Sequence, residues 1–489
     1  MKLRTLLNIL GALLSILGTT MVVPIFISLG YGESDLNGFL VSALVCIGVG
    51  FPVWLFTRYS RTLTNRDGFA IVTFSWIITA IAGALPFYFS GAIPDITDAF
   101  FESMSGVTTT GASILGNPTT LPHLENGIES LPHGILFWRS FIQWIGGMGI
   151  VVFYIAILPL LGVGGVQLFK AEALGPVADK ITPRVRETAK YLWMVYFGFT
   201  LAETILLAVG GMDWFDAVCH SFTTMPTGGF STKNASIAYY GNSYIHYIMI
   251  LFMFFAGINF TLHFRAITGD VTSYFKDREF LYYLGITLCI TLCISLGLYV
   301  QGNSWSHHHF RDSLFQTVSI LTTTGYVTAD YELWPYFAQF IILLLMFVGG
   351  MGGSTGGGMK IIRVILILKY IAIETRQMLH AKAIIPIRIG SRYIPGDVIR
   401  NTVGFFLFYI FIFAATSLIL SAMDLDLSSA TGLAASAIGN IGPAFGDFGP
   451  TENYAMLPDI GKWLLSFCML LGRLEIFTVM VLFSRTFRD

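Results

Sequence analysis

Ten apolar runs of about 20 residues divide the chain, and each is long enough to cross the hydrocarbon core of a bilayer. They lie near Leu6 to Leu29, Phe39 to Phe56, Phe69 to Phe89, Ile135 to Leu161, Leu192 to Val209, Ile245 to Leu262, Phe280 to Val300, Phe337 to Ile371, Val403 to Ala422 and Trp463 to Phe483. Lipid offers the backbone no hydrogen-bond partners, so runs of this kind have to be helices. Composition agrees: 54% hydrophobic residues, 12% charged residues and a mean hydropathy of +0.70 exclude an ordinary soluble domain. The expected fold is an all-α polytopic membrane protein. Lys2 and Arg4 precede the first run as in a signal peptide. That run is too long and lacks a small-residue cleavage site, so it reads as a retained first span.

Basic residues set the expected orientation, because short cytoplasmic loops accumulate Lys and Arg. Alternate loops hold Arg58, Arg61 and Arg66; Lys170, Lys180, Arg184, Arg186 and Lys190; Arg265, Lys276 and Arg278; and Arg376, Lys382, Arg388, Arg392 and Arg400, with Arg485 and Arg488 at the end. Both termini are therefore expected in the cytoplasm, as an even number of spans requires. The opposite loops carry Glu33, Asp35, Asp95, Asp98, Glu125, Glu129, Asp213, Asp216, Asp330, Glu332, Asp424, Asp426, Asp447, Glu452 and Asp459, offset only by Arg139, Lys233, Arg311 and Lys462. An acidic face of this kind concentrates cations at a pore mouth, although ordinary solvated loops explain any single carboxylate equally well.

Four times on that acidic side a short amphipathic segment runs into a glycine: Val107-Thr-Thr-Thr-Gly111, Met225-Pro-Thr-Gly228, Leu321-Thr-Thr-Thr-Gly325 and Gly439-Asn-Ile-Gly442. Asp98 to Gly111 and Asp312 to Gly325 align without gaps, sharing Phe at the fourth place, Ser at the eighth and the closing Thr-Thr-Thr-Gly. Ser436 keeps the same distance before Gly442, and the second copy matches on deletion of one residue. Internal repetition on this scale implies one structural unit used four times. Each unit reads as span, re-entrant half-helix, glycine loop, span. That is the subunit plan of a potassium channel, repeated in one chain. The expected division is 1–66 for an N-terminal pair of spans, then pore repeats 67–168, 169–270, 271–385 and 386–489. Irregular backbone at membrane depth is tolerated where it is buried in protein or lines a water-filled cavity. Its carbonyls could replace a cation's hydration shell, helped by the negative C-terminal ends of the half-helices. A tight external turn is the competing reading of any one loop.

The four loops resemble those of the Trk/Ktr/HKT superfamily of potassium transporters, and the whole chain is similar to the bacterial Trk membrane subunits. The resemblance implies a pseudo-four-fold pore with one filter glycine per repeat, Gly111, Gly228, Gly325 and Gly442, in place of the TVGYG loop of ordinary potassium channels. Ion-coordinating backbone would come from Thr109 and Thr110, Pro226 and Thr227, Thr323 and Thr324, and Asn440 and Ile441. In plant members serine at the first filter position goes with sodium transport, so Gly111 implies potassium. The extra N-terminal pair of spans matches the Trk branch. The family also implies potassium as substrate with no cofactor, a homodimer, a cytosolic ring of nucleotide-binding regulatory (TrkA-type) subunits, and a bacterial inner membrane. Pro226 and Asn440 depart from the Thr-Thr-Gly pattern and leave the four quarters unequal.

A second stretch, Val348-Gly-Gly-Met-Gly-Gly-Ser-Thr-Gly-Gly-Gly-Met-Lys360, interrupts the apolar run after the third loop. Glycine costs roughly 1 kcal/mol relative to alanine at each helical position, so the span should break here. The resemblance makes this break an intramembrane gate, formed by Gly349, Gly350, Gly352, Gly353, Ser354, Thr355, Gly356, Gly357 and Gly358. Close helix packing through small residues competes. A nucleotide-binding loop fails, because no strand precedes it and Lys360 is not at P-loop spacing. Gly146-Gly-Met-Gly149, Gly257 and Gly472 stand at comparable places in the other closing spans. Arg473 follows inside the last apolar run, where an unpaired charge costs at least about 2.5 kcal/mol. It is expected below the filter, touching the gate loop and opposing cation passage. The alternative is a structural arginine bonded to carbonyls of the broken helix.

Other groups point less far. His307-His-His309 lies in an external segment without cysteine or spaced carboxylates and reads as a solvated turn rather than a metal site. Cys46, Cys219, Cys289, Cys293 and Cys468 sit in or beside apolar segments and read as packing. Glu203, Glu102 and His220 read as stabilisers of the half-helix scaffold, and as the first groups to test if protons are coupled. No nucleophile with its base, metal cluster or cofactor fingerprint is present in the sequence, so an enzyme is excluded. An ion-coupled transporter with alternating access and a membrane scaffold that only binds a partner are the other two function classes.

Overall fold

The computed structural model describes residues 3–57, 64–116, 126–152, 185–302, 307–380, 385–390 and 392–483. Lys2, Arg58, Arg61, Glu125, Lys170, Lys180, Arg184, Lys382, Arg485 and Arg488 lie outside those residues, as do the 168/169 boundary and the end of the Ile135 to Leu161 run. Each of the ten apolar runs contains helix in its described part. The N-terminal span joins Leu3–Thr20 to Val22–Tyr31 and packs on Leu36–Phe56. The contact is made by small residues: a Cβ on Gly11 would strike the backbone at Gly50 and Trp54, and one on Gly18 would strike Cys46. That close approach is what small residues provide between helices in lipid.

Four units follow, each with an outer helix, a half-helix and an inner helix. The outer helices are Asn65–Phe89, Val185–Val209, Arg278–Gly302 and Gly396–Ser421. Their pattern is inverted relative to a soluble helix. In the third, Leu288, Leu292 and Leu296 are exposed while Thr287, Thr291 and Ser295 are buried. The apolar face meets lipid, and the small hydroxyl residues face the neighbouring helices.

The half-helices are Ile96–Val107, Trp214–Thr224, His307–Leu321 and Leu427–Gly439. Asp95, Asp213 and Asp426 cap three of them by accepting hydrogen bonds from first-turn N–H groups. The third starts five residues earlier than Asp312, so His307 to His309 form its first turn instead of a loop. This extension brings His307 Nε2 to 2.9 Å from Tyr247 Oη, and Arg311 Nη1 to 3.0 Å from Ser243 Oγ on the inner helix of the second unit.

Inner helices His133–Val152, Ser243–Ala256, Tyr336–Leu345 and Asp459–Arg473 surround the half-helices. The break expected after the third is there, with helix resuming at Ile361–Leu379. The second and fourth also break, contrary to the continuous spans read from Ile245 to Leu262 and Trp463 to Phe483. They bend by 104° into Phe260–Ile267 and by 108° before Phe477. Asn259 explains the first bend, because its side chain caps a new helix by accepting from Thr261 N at 2.8 Å. A two-stranded hairpin, Arg388–Ile389 with Arg392–Tyr393, packs Ile387 and Ile389 against Ile362 and Leu366 near the start of Ile361–Leu379.

Candidate functional site

The half-helices end in four loops with one backbone course. Just past each C-terminus a residue other than glycine turns left-handed: Thr109 (φ 52°), Thr227 (58°), Thr323 (61°) and Asn440 (55°). The next residue bonds back to the half-helix, Thr110 N to Ser105 O, Gly228 N to Thr223 O and Thr324 N to Ser319 O at 2.8 Å each, and Ile441 N to Ser436 O at 3.0 Å. A glycine at positive φ then follows: Gly111 (83°), Gly229 (75°), Gly325 (80°) and Gly442 (108°). The second loop is thus in register with the others without a deletion. Its ring glycine is Gly229, where the sequence pattern pointed to Gly228, and Pro226 occupies the place of Thr108 and Thr322.

Crowding around these glycines closes the ring. A Cβ on Gly111 would fall within 3.0 Å of Gly228 O, one on Gly229 within that distance of Thr324 O, one on Gly325 of Ile441 O, and one on Gly442 of Thr110 O. Each glycine therefore abuts the equivalent carbonyl of the next unit, from first to second, third, fourth and back to first. Side chains larger than hydrogen are excluded by sterics as well as by φ. A vestibule of about 90 Å³ lies over the ring, lined by Gly111, Gly229, Gly325 and Gly442 together with Glu452 and Lys233.

Side chains behind the ring brace it unequally. Thr108 and Thr110 hydroxyls meet at 2.8 Å, as do those of Thr322 and Thr324. In the second loop Gln143 substitutes, donating to Gly228 O at 2.8 Å and accepting from Phe230 N at 3.2 Å. Asn440 joins the fourth loop to the first, donating to Thr110 Oγ1 at 2.9 Å and to Met469 O at 2.8 Å. Further out, buried Glu102 accepts from Arg139 Nε at 2.9 Å and from Ile114 N at 3.0 Å, while Arg139 reaches Ser231 O at 3.0 Å. His220 holds the same Ser231 through its hydroxyl at 3.0 Å. Lys233, Arg311 and Lys462 pair with Asp216, Asp312 and Asp98. Glu203 is fully buried on the second outer helix beside Thr224 and Tyr326.

The glycine-rich loop lies against the half-helix side of the ring. Thr355 Oγ1 donates to Met225 O at 2.9 Å and Gly357 N donates to Thr323 Oγ1 at 2.7 Å, and a Cβ on Gly357 would meet Gly439 O and Asn440. Gly353 O accepts from Phe260 N at 3.2 Å, Gly352 N donates to Glu279 Oε1 at 2.8 Å, and Met351 N donates to Gly257 O at 2.9 Å. The close seating needs glycine: a Cβ on Gly349 would strike Gly357 O, and Gly350, Gly356 and Gly358 are similarly confined. Ser354 Oγ turns back onto Met351 O at 2.6 Å. Arg473 lies directly beneath, with Nη1 on Thr355 O at 2.7 Å and Nη2 on Gly146 O at 3.4 Å.

Sequence reasoning passed over Gly229, Gln143, Glu279, Arg363 and its pairing with Glu475, and weighed Lys360 only against P-loop spacing. Arg363 stands in the apolar segment Ile361 to Leu368, and the cost argument that singled out Arg473 applies to it equally. Lys360 closes the glycine run and donates to Gly356 O.

The profile of the TrkH family, described as a cation transport protein, matches residues 37–488. The chain is 40% identical over 491 residues to the Trk system potassium uptake protein TrkH of Halomonas elongata, covering 100% of this chain and 99% of that protein. The Escherichia coli K12 protein of the same name is 39% identical over 499 residues, with the same coverage of both chains. The crystal structure of the potassium transporter TrkH from Vibrio parahaemolyticus superposes with a TM-score of 0.90 at 38% identity, covering 100% of both chains. On profile, identity and fold together, this chain belongs to the TrkH family of cation transport proteins, multi-pass membrane proteins and not enzymes.

Proposed function

We propose that this chain takes up potassium through a central path whose selective element is the ring of Gly111, Gly229, Gly325 and Gly442. The observation that carries the reading is the cyclic abutment of each glycine on the equivalent carbonyl of the next unit. Thr109, Thr110, Thr227, Gly228, Thr323, Thr324, Asn440 and Ile441 supply the backbone of the filter. Carbonyls in this setting replace a cation's water, and the four half-helix C-termini add negative potential. Potassium is supported as the cation by the names of the relatives and by glycine at position 111.

The glycine-rich loop, Gly349 to Gly358, is proposed as the gate and Arg473 as its anchor and charge barrier. The support is their seating beneath the ring and the Arg473 bond to Thr355 O. A bacterial inner membrane with both termini cytoplasmic, a homodimer, and regulation by a cytosolic nucleotide-binding ring complete the proposal. The basic loops support the cytoplasmic termini, whereas the homodimer, the ring and the inner membrane rest on the family resemblance.

Rubidium flux into proteoliposomes of the purified protein tests the reading. A passive path predicts flux down the rubidium gradient alone, raised at rest by Arg473→Ala and by bulkier residues at Gly352 or Gly353. Flux that needs a proton or sodium gradient overturns the channel in favour of coupled transport. Unchanged resting flux in all three variants removes the gate, and no flux under any gradient leaves a scaffold.

A further inference from the structure

Beneath the ring, two cations hold neighbouring carbonyls of the same loop. Arg473 Nη1 donates to Thr355 O at 2.7 Å, and Lys360 Nζ donates to Gly356 O. Both residues are 2% exposed. They belong to different units, since Arg473 ends the helix Asp459–Arg473 and Lys360 immediately precedes Ile361–Leu379.

A third contact ties together the segments that carry them. Arg363 Nη2 lies 2.6 Å from Glu475 Oε2, with side chains 3% and 15% exposed. The Arg363 guanidinium also stands 4.3 Å from the ring centroid of Phe405 on the outer helix of the fourth unit. Glu475 lies within the 108° break, where Glu475 (φ 54°) and the β-branched Ile476 (φ 37°) both have positive φ. Such a conformation persists only where its surroundings hold it. The pair is therefore three residues from one grip on the loop, two residues from the other, and fastened to a strained turn.

We infer that Arg363 and Glu475 are positioning residues that couple the two grips, so that Arg473 and Lys360 hold and release the loop as one unit. The inference rests on the reading of Gly349 to Gly358 as a gate. An apolar pair of similar volume would fill this space without directional bonds. A guanidinium on a carboxylate instead fixes both distance and orientation. Burial shields the pair from salt, so its coupling survives at cellular ionic strength. The helix that begins at Ile361 runs on to the exposed Met378 and Leu379, so a displacement applied at that end reaches both grips through this crossbar.

Resting rubidium flux through the full chain in proteoliposomes tests the coupling as a double-mutant cycle. Arg473→Ala comes first, beside bulkier residues at Gly352 and Gly353: if all three leave resting flux at the wild-type level the gate reading itself fails, and if only Arg473→Ala does, the coupling fails with the gate standing. Where Arg473→Ala leaks, Arg363→Gln and Glu475→Gln should each raise resting flux roughly tenfold, a size ordinary for directly coupled side chains. The exchange Arg363→Glu with Glu475→Arg should return flux toward wild type, and Glu475→Gln added to Arg473→Ala should add less than about twofold. Single variants as tight as wild type, an exchange as leaky as the singles, or effects that multiply with Arg473→Ala each overturn the coupling while leaving the gate standing. Should the neutralised variants fail to fold, Arg363→Met with Glu475→Leu removes both charges of this ion pair together. That double variant folded and leaky supports the coupling, and folded and tight overturns it.

Discussion

Gly229 shows how much one residue's backbone can carry. Its φ of 75° and the Thr324 carbonyl beside it leave no room for a Cβ, whereas a Cβ on Gly228 would meet the amide end of the Gln143 side chain. A side-chain terminus can shift where a packed carbonyl cannot. Gly229→Ala is therefore expected to cut rubidium flux by at least about tenfold, the rate effect of roughly 1.4 kcal/mol, with a smaller loss for Gly228→Ala. Equal losses in paired flux measurements would return the ring position to Gly228. The sequence offers two adjacent glycines after Met225-Pro-Thr: matching Thr-Gly by a deletion selects Gly228, whereas the ungapped spacing from Asp216, equal to that from Asp98 to Gly111 and from Asp312 to Gly325, selects Gly229. The choice is made by a carbonyl 95 residues away in sequence, counting from 229 to 324.

At the level of elements, the half-helices depend on their caps and on the charges buried behind them. Asp426 accepts from the N–H groups of Ser428 at 3.0 Å and Ser429 at 3.2 Å. The Ser429 hydroxyl, followed by these N–H groups, holds its carboxyl below the ordinary carboxylate value. A lowered folded-state value means that the stabilisation is present above the unfolded value of about 3.9 and is lost as pH falls through the folded one. Asp426→Ala should thus cost about 1 kcal/mol at neutral pH, seen as a lower melting temperature in detergent, with the difference shrinking as pH drops below about 4. Glu102 and Arg139 behave differently, being 0% and 2% exposed. Arg139→Met alone leaves a buried carboxylate and should cost about 3–5 kcal/mol, whereas Glu102→Leu with Arg139→Met should recover most of that loss. Equal melting of single and double variants would show that the pair acts through shape alone. The spans and the half-helices were legible, since hydropathy and repetition signal both. The bends after Ala256 and Arg473 were not, because one glycine weakens a helix by only about 1 kcal/mol and leaves the outcome to tertiary contacts.

Across the whole molecule, four like units close on themselves while carrying unlike parts. The seam between last and first is held by Lys462 Nζ on Asp98 Oδ1 at 2.5 Å and by Asn440 on Thr110. Lys462→Met should lower the melting temperature and weaken rubidium over sodium discrimination, and Asp98→Asn added to it should restore part of the stability. A variant that melts earlier with discrimination intact would show that the seam serves stability only. Control, by contrast, is proposed for the third and fourth units, where the broken helices and the Arg473, Lys360, Arg363 and Glu475 side chains converge. The linear chain by itself determined the membrane class, the four-unit plan and the place of the glycine-rich break, because transfer to lipid and backbone propensity act residue by residue. Only the tertiary structure decided how the ring glycines abut the next unit's carbonyls, which helices bend and which buried charges meet. Those outcomes turn on steric and Coulombic contacts a few ångströms long between residues far apart in sequence.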